Sequence, residues 1–581
     1  MDNDDGSSNA GTGTVGSGGN QNIIADNSNQ FSFDDIGGNI ELIAGLSPAS
    51  SAPNSSVSIT TTIDDIFVPV NQHIEGNNLL LIGGNINGAT AFIFHDDHAI
   101  PGSQQIIDIG SDARLIGYEG SSIAQITSEG DGGSINIGRD LQLGLGDTTI
   151  SPVFANINMG TNSQLTVGGN LNMEGGNIFT NGGNVNTNGF NWYQGTISGG
   201  GNLTNTGVGT IGISSSETNV NSIPPLEDLG RNLENMNWMQ NGNIDWQGGD
   251  IGFLNVTMTN NGVFNASGDN NIFAFGDETP PPSSIVNAAG GVWSKTDGAT
   301  RTVIGEFIDF TNLGTVSAES GNLAFNGGFV QDGGLTQLLF ANIGSSSDML
   351  FNAGQLVGDG TINATVIADA VEISPGQSPG LLNIVGDLTA SANTSFFMEI
   401  EGYDPGIDHD QITVSGNANL AGTMEVVLDD SIFLPEDGDV FSLITSGAGN
   451  GGNFNTFIGD DIINPPDPDL LIGEDYQPNQ YDVFYFADAE PPVDPPVDPP
   501  VDPEPPVIPE TPDAPPTSPL VIQPDPPEPM PGEGLPQMTP PDSPETPEPP
   551  NVEPLVIVLV DQLPEDQAEY TDIPEFLQCR G

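Results

Sequence analysis

Positive charge is the scarcest property of this sequence of 581 residues. Only 6 residues are lysine or arginine, against 78 aspartates and glutamates, and the formal net charge is −72. A protein that binds nucleic acid needs clustered cations to neutralise phosphates, and this chain has almost none to cluster. Nucleic acid is therefore an implausible partner, and anionic lipid surfaces are disfavoured for the same reason.

Cysteine and long apolar runs are also scarce. The single cysteine, Cys579, cannot form an intrachain disulfide, and we expect it either to lie in a frayed tail or to tether a partner. The most apolar run near the C-terminus, Leu555–Val560, is far shorter than the roughly 20 residues of a membrane helix. We therefore predict no transmembrane segment.

Glycine and asparagine form the strongest internal repeat. Gly-Gly-Asn followed by an aliphatic residue begins at Gly37, Gly83, Gly168, Gly175, Gly182 and Gly200. Each copy is typical of a tight corner followed by a short alternating strand. A side of seven residues taken three times would give a coil of about 21 residues, within the range of solenoid repeats. The repeat predicts an all-β fold, a right-handed parallel β-helix (solenoid) over residues 67–373.

A longer unit carries all four tryptophans, Trp192, Trp238, Trp246 and Trp293, and a Thr-Asn-x-Gly motif at 204–207, 259–262 and 311–314. Large aromatic side chains are usually buried, so we predict that the tryptophans fill the interior, with sugar stacking on the outside as the alternative. Asparagines at matching corners of stacked strands can form amide ladders.

Composition divides the rest of the chain. Residues 1–66 are a low-complexity N-terminal region, and residues 489–553 are dense in proline. Proline fixes φ and lacks the N–H that a sheet requires, so the second segment is predicted to be a polyproline II spacer. The remaining residues, 554–581, form a C-terminal tail.

The segment Ser374–Leu388 reads Ser-Pro-Gly-Gln-Ser-Pro-Gly-Leu-Leu-Asn-Ile-Val-Gly-Asp-Leu. It resembles a motif common in autotransporter passengers, and Asp408–Gly416 and Gly438–Ile444 continue the match. The Gly-Gly-Asn and Thr-Asn-x-Gly repeats of residues 80–370 are similar to those of filamentous-haemagglutinin-like exoproteins. The resemblance implies an autotransporter-passenger-like β module at 374–488 as a C-terminal cap, and an extracellular or bacterial cell-surface location.

Two features bear on the export route. The chain begins Met-Asp-Asn-Asp-Asp-Gly without the basic and apolar stretches of a signal peptide, so we expect an export signal upstream of Met1. The residues after the spacer are too few for the membrane barrel of an autotransporter, whose strands need about 10 residues each. A separate outer-membrane partner, as in two-partner secretion, would suit the missing barrel, but the sequence shows no clear N-terminal secretion domain of that family either, so the export route stays open.

The densest group of metal-capable side chains is His95-Asp96-Asp97-His98. In an extended strand His95 and Asp97 share one face and His98 faces the other way, so the three can converge only in a loop. An exposed polar corner is the favoured interpretation, with His95, Asp97 and His98 as weak metal candidates. The tandem Gly-Gly-x-Gly-x-Asp repeat of Ca²⁺-binding β-rolls is missing, so we predict no cofactor, with weakly bound Ca²⁺ as the alternative.

These observations predict a non-catalytic structural or adhesin-type protein that presents an acidic stalk to an extracellular surface, glycan or matrix ligand. A β-helical carbohydrate-active enzyme, either a polysaccharide lyase or a glycoside hydrolase, is the first alternative, because fold alone does not fix function. Lyases of this kind need a cationic group near the substrate, and the few cations here are scattered singly. A Ca²⁺-responsive extracellular matrix scaffold is the second alternative.

Overall fold

The computed structural model describes residues 21–25, 31–34, 39–44, 56–61, 71–83, 90–95, 104–117, 122–128, 131–144, 154–212, 230–376, 379–429, 432–459 and 470–487. All of them lie in the first of two compact units, Met1–Val493, and the second unit is Asp494–Gly581. The predicted spacer (489–553) and tail (554–581) lie outside the described residues. The described part of the chain is all-β and contains no helix.

Its strands are short, and most hold four to six residues. The first twenty-three are β1 (Gln21–Ala25), β2 (Phe31–Asp34), β3 (Asn39–Ala44), β4 (Ser56–Thr61), β5 (Asn71–Gly76), β6 (Asn78–Gly83), β7 (Thr90–His95), β8 (Gln104–Ile109), β9 (Ala113–Ile116), β10 (Ile123–Ser128), β11 (Ser134–Ile137), β12 (Leu141–Leu143), β13 (Phe154–Asn158), β14 (Gln164–Phe179), β15 (Asn184–Ser198), β16 (Asn202–Asn205), β17 (Val208–Ile211), β18 (Arg231–Glu234), β19 (Asn237–Gln240), β20 (Asn243–Trp246), β21 (Ile251–Leu254), β22 (Thr257–Asn260) and β23 (Val263–Ala266). The others are β24 (Asn271–Ala274), β25 (Ser283–Asn287), β26 (Val292–Lys295), β27 (Arg301–Ile304), β28 (Ile308–Asn312), β29 (Thr315–Ala318), β30 (Asn322–Phe325), β31 (Phe329–Gln331), β32 (Leu335–Ser345), β33 (Met349–Asn363), β34 (Val366–Pro375), β35 (Leu381–Ile384), β36 (Leu388–Ala390), β37 (Ser395–Ile400), β38 (Gln411–Val414), β39 (Asn417–Leu420), β40 (Thr423–Leu428), β41 (Val440–Ser446), β42 (Gly449–Gly452), β43 (Thr456–Gly459), β44 (Leu470–Gln477) and β45 (Gln480–Ala487).

The strands form one long sheet in which a strand pairs in parallel with the third strand along the chain. Thus β5 pairs with β8 and β8 with β11, while β6 pairs with β9 and β9 with β12. The long strand β14 pairs at its start with β11, in its middle with β12 and at its end with β13. The sheet ends differently, because β45 lies antiparallel to β41 and β44 lies antiparallel to β45.

The core lies between strands whose side chains alternate between buried and partly exposed, as in β7, β8 and β10. Because the pairing is parallel and in register, similar apolar residues stack from strand to strand. One such stack is isoleucine at six successive strands, all at most 3% exposed: Ile59, Ile93, Ile126, Ile157, Ile178 and Ile197.

Four copies of the Gly-Gly-Asn motif lie within the described residues. Those that begin at Gly168 and Gly175 lie at register shifts within β14, and those that begin at Gly182 and Gly200 lie in the turns before β15 and β16. In the copies that begin at Gly175 and Gly200, the second glycine has a positive φ, +82° at Gly176 and +83° at Gly201. A Cβ there would lie 1.9 Å from the carbonyl oxygen of Ala155 and 1.8 Å from that of Gly183, respectively. Only glycine fits, because the backbone of the neighbouring strand passes directly beneath each corner.

The four tryptophans are completely buried, as predicted. They belong to a run of stacked rings along the interior. Phe264 lies face to face with Trp293 at a centroid distance of 4.4 Å, and the rings of Phe310 and Trp293 meet edge-on at 5.3 Å. Trp238 contacts Trp192 and Phe264 in the same edge-on manner.

Candidate functional site

A groove lined by polar side chains, glycines and two isoleucines crosses the ends of β5, β8, β11 and the first part of β14. We call it the corner groove. Its volume is about 480 Å³, and its described lining is Glu75, Gly76, Asn77, Asp108, Ile109, Gly110, Asn136, Ile137, Gly138, Thr166 and Gly168. One residue of each strand points outward into the groove at the same register, since Glu75 pairs with Asp108, Asp108 with Asn136 and Asn136 with Thr166.

Stacked glycines form the floor of the corner groove. A Cβ on Gly138 would lie 2.4 Å from the carbonyl oxygen of Gly110, and a Cβ on Gly168 would lie 2.4 Å from that of Gly138. Both distances are far below van der Waals contact, so a side chain at either position would force the strands apart. The floor is therefore bare backbone that a ligand can approach closely.

Hydrogen bonds along the stack hold the groove's side chains in place. Asp108 accepts a hydrogen bond from Asn136 Nδ2 at 2.7 Å on its Oδ1 and lies 3.3 Å from His73 Nε2 through its Oδ2. Side chains that already bond to their neighbours lose little rotamer freedom when a ligand binds.

The far side of the same corner is fixed by a second column. Asn78, Asp112 and Asp140 each accept a hydrogen bond from the backbone N–H of a residue on the next strand, at distances of 2.7 to 3.2 Å. The donors are the N–H groups of Asp112, Asp140 and Asn170 in turn, so Asp112 and Asp140 each accept one bond through the side chain and donate another through the backbone. The corner is thus a ladder of Asp and Asn bonds on which the groove rests.

The chemistry of the corner groove is that of hydrogen bonding. Glu75 and Asp108 offer carboxylate oxygens, and Asn77 and Asn136 offer both donors and acceptors. The described lining holds no aromatic ring and no lysine or arginine. Such a surface suits a neutral ligand rich in hydroxyl groups, which donate to carboxylates and pair with amides.

The predicted metal candidates are only partly within the described residues. His95 is the last residue of β7 and is completely buried, which differs from the exposed corner expected for it. His95 is buried because it continues the alternation of β7 that also buries Ala91 and Ile93. Asp97 and His98 lie outside the described residues. Among the residues that the structure describes, no group of three or more His, Cys, Asp or Glu side chains could hold a metal ion.

The Thr-Asn-x-Gly motif forms a buried amide ladder. Asn260 Nδ2 donates to Asn287 Oδ1 at 2.9 Å, Asn287 Nδ2 donates to Asn312 Oδ1 at 2.9 Å, and Asn312 Nδ2 donates to Gln331 Oε1 at 3.1 Å. Before this run, Asn205 donates to Gln240 at 3.2 Å. The Thr-Asn-x-Gly motif marks Asn205, Asn260 and Asn312 in the sequence. It misses Gln240 and Gln331, which are glutamines, and it misses Asn287, which no threonine precedes.

Replacing Asn287 by alanine should destabilise the fold by about 2 kcal/mol. The amide also donates to the backbone carbonyl oxygen of Thr315 at 2.9 Å, and that buried oxygen would lose a partner together with Asn260 and Asn312. Urea unfolding followed by tryptophan fluorescence measures the change, since the buried Trp293 lies on β26, the next strand along the chain. Asn261→Ala is the matched control, because Asn261 makes an amide bond of 2.8 Å to Asn241 on the exposed side. Equal losses in the two variants would contradict a special role for the buried ladder.

Two of the few cations are buried. The Lys295 side chain is 0% exposed and forms an ion pair of 2.9 Å with Asp269. Arg231 is 3% exposed and donates to the carbonyl oxygens of Trp192 and Gly212. The sequence shows these residues only as scattered single charges; nothing in their local pattern indicated burial.

Two halves of the passenger-like motif meet at a buried carboxylate. Asp410 is completely buried, and its oxygens accept the N–H of Gly380 at 2.7 Å and that of Glu399 at 2.9 Å. Burial raises the pKa of Asp410 to about 7; the two N–H groups oppose the rise, and the charges of Glu399 and Asp359 add to it. Asp410 therefore joins the Ser-Pro-Gly segment to β37, the strand that precedes Asp408-His-Asp.

Asp410 should make the protein less stable as pH rises from about 4 to about 7. Its folded-state pKa lies above the ordinary value of 3.8, so ionisation opposes folding; this penalty is absent below about pH 4 and complete above about pH 7. In Asp410→Asn the fall of the melting temperature over this range, followed by circular dichroism, should be shallower. Asp369→Asn is the control, since hydrogen bonds from Ser391 and Asn393 lower the pKa of Asp369 and it does not titrate in this range. An unchanged slope in Asp410→Asn would refute the assignment.

Comparison with known proteins gives no relative: no protein-family model and no curated protein matches the chain. Among the described residues, no helix has the length and apolar character needed to cross a membrane.

Proposed function

We propose that residues 67–373 form a right-handed parallel β-helix. Three features support this architecture: the pairing of each strand with the third strand along the chain, corners that carry stacked glycines, and an interior of isoleucines and aromatic rings in register. Gln164 on β14 pairs with Asn184 on β15, so the paired residues are 20 positions apart, a separation close to the coil length that the sequence repeat predicts. The right hand follows from the right-handed twist that strands prefer.

On this architecture the protein is a secreted or surface-exposed bacterial structural or adhesin-type protein without catalytic activity. The observation that carries the proposal is that the inner and outer faces of the strands carry different kinds of side chain. Aromatic rings and amide ladders are used inside, where they hold the stack together, and the outside repeats Asn, Asp and Thr around the corner groove. Such an acidic, repetitive surface is suited to presentation and binding.

The ligand class that fits is an extracellular glycan or a glycan-rich matrix. The corner groove is open, floored by backbone and lined by hydrogen-bonding groups in register with the strand spacing of about 4.8 Å, so an extended chain of hydroxyl groups can bond to several strands at once. The carbohydrate-active enzyme is less well supported, because the described lining offers neither a stacking ring nor the cation that a lyase uses.

The remaining parts of the proposal concern location and export. The resemblance of residues 374–388 to autotransporter passengers supports the bacterial cell surface, with a separate outer-membrane partner for secretion.

We propose no resident cofactor. Light scattering of the full chain with and without millimolar Ca²⁺ tests the scaffold alternative, in which the particle size rises on addition of Ca²⁺.

A glycan array tests the proposed binding function. The full chain should bind a subset of neutral glycans, and Asp108→Ala should weaken that binding by about tenfold, because Asp108 accepts hydrogen bonds at the centre of the groove. Asp309→Ala removes the same charge from an exposed position on β28, away from the groove, and should bind as the wild type does. Equal binding by both variants would contradict the groove, and release of sugar products from the bound glycan would favour the enzyme.

Immunolabelling tests the location. Antibodies against residues 154–487 should label intact cells of the source bacterium, and labelling that requires permeabilised cells would contradict surface display.

A further inference from the structure

Two loops next to each other in the passenger-like module expose apolar side chains. The first loop, residues 401–410, follows β37, and the second, residues 432–439, precedes β41. Together with the first residue of β41 they carry five large apolar side chains that are at least half exposed: Tyr403 (53%), Ile407 (71%), Ile432 (63%), Leu434 (53%) and Val440 (58%). We call these five residues the apolar patch.

Direct contacts join the two loops. The Tyr403 ring lies 4.8 Å from the Phe433 ring and stacks at 6.0 Å on Phe441. The Tyr403 hydroxyl donates to Asp439 Oδ2 at 2.8 Å. These contacts of Tyr403 place the two loops side by side.

Hydrogen bonds within the loops keep the apolar patch ordered. The N–H groups of Ile407 and Asp408 donate to the carbonyl oxygen of Asp404, and the Glu401 N–H donates to the carbonyl oxygen of Asp408. In the second loop the N–H groups of Ile432 and Phe433 both donate to the carbonyl oxygen of Asp429 at 3.0 Å. An ordered apolar surface loses little conformational entropy when a partner binds.

The charge around the apolar patch has one sign. Asp404, Glu436 and Asp437 lie exposed on the same two loops. The sequence contains no lysine or arginine between Arg301 and Arg580. A second copy of this module would therefore meet the patch with like charge, which disfavours self-association, whereas lysine or arginine around an apolar centre would complement it.

We propose that the apolar patch is a docking surface for a basic, amphipathic segment of a partner protein, with apolar side chains that cover Ile407, Ile432 and Leu434 and cations that pair with the surrounding carboxylates. This binding surface is independent of the corner groove and of its proposed glycan ligand. It assigns the module at 374–488 a role in attachment to another protein.

Fluorescence anisotropy with designed helical peptides tests the proposal on the full chain. The probe is a labelled amphipathic peptide of lysine and leucine. A labelled peptide of lysine and serine is the control, because it can bind only through its charge. Both are measured at about 0.15 M salt, where long-range attraction is screened. The lysine and leucine peptide should bind the wild type at least about tenfold more tightly than the lysine and serine peptide. The double variant Ile432→Ser/Leu434→Ser should abolish that difference.

Matched variants keep the test independent of folding. Val208→Ser/Val385→Ser removes two side chains of similar exposure, 71% and 52%, outside the patch and should bind as the wild type does. Ile407→Ser tests the same surface from the other loop, so the proposal remains testable if the double variant unfolds in circular dichroism. Equal losses in the patch and control variants would overturn the proposal. Self-association of the wild type that the patch variants abolish would overturn it too, because the occupant would then be a second copy.

Discussion

Trp293→Ala should destabilise the protein by about 3–5 kcal/mol, the cost typical of removing a buried aromatic ring. The ring is completely buried between Phe264, at 4.4 Å, and Phe310, at 5.3 Å, so truncation opens a cavity in the middle of the aromatic run. Because the strands on either side are held by the same stack, we expect the loss to spread to both neighbours. Urea unfolding monitored by circular dichroism measures it, since the variant loses part of the fluorescence signal.

Two controls separate cavity formation from other effects. Trp293→Phe keeps a stacked ring and removes an indole N–H for which the described residues supply no acceptor, so it should cost much less than alanine does. Phe340→Ala removes an aromatic ring that is 85% exposed, and it should change stability by less than about 0.5 kcal/mol. A loss at Phe340 as large as that at Trp293 would contradict the packing account.

The corners and the interior could be predicted because they depend on local chemistry. Gly176 and Gly201 are required by a positive φ and by the strand beneath them, and both requirements leave a Gly-Gly-Asn signature. The tryptophans were predicted to be buried from their size alone. In each case a short stretch of sequence contains the whole physical reason.

The corner groove and the complete amide ladder could not be predicted, because they depend on register between strands far apart in the chain. Successive members of the ladder after Asn205 and Asn260 are separated by 35, 27, 25 and 19 residues. No single repeat length aligns such positions, so a sequence period cannot reveal that Asp108 lies beside Asn136. The same holds for Lys295 and Asp269, whose ion pair joins β26 to the turn between β23 and β24.

Lys295→Met should destabilise the protein by about 3 kcal/mol. The Lys295 Nζ donates to Asp269 Oδ1 at 2.9 Å and to the carbonyl oxygens of Asp297 at 2.8 Å and Gly268 at 3.2 Å, so all three protons are used. Methionine preserves much of the side-chain packing but leaves these three acceptors without their charged donor. Removing one partner of a buried ion pair lowers the free energy of unfolding by more than the intact pair adds to it. Urea unfolding at neutral pH measures the loss.

The pH dependence of the same variant identifies the ion pair as the cause. Burial alone would raise the pKa of Asp269, but hydrogen bonds from Lys295 and Thr300 and the charge of Lys295 outweigh it and lower that pKa. A lowered folded-state pKa contributes stability above the ordinary value of 3.8 that is lost as pH falls, so Lys295→Met should lose less stability in acid than the wild type does. Arg301→Met removes the same charge from an exposed position on β27, where a chain of net charge −72 would suffer the same added repulsion. If Arg301→Met lost as much stability as Lys295→Met, overall charge and not the buried pair would be responsible.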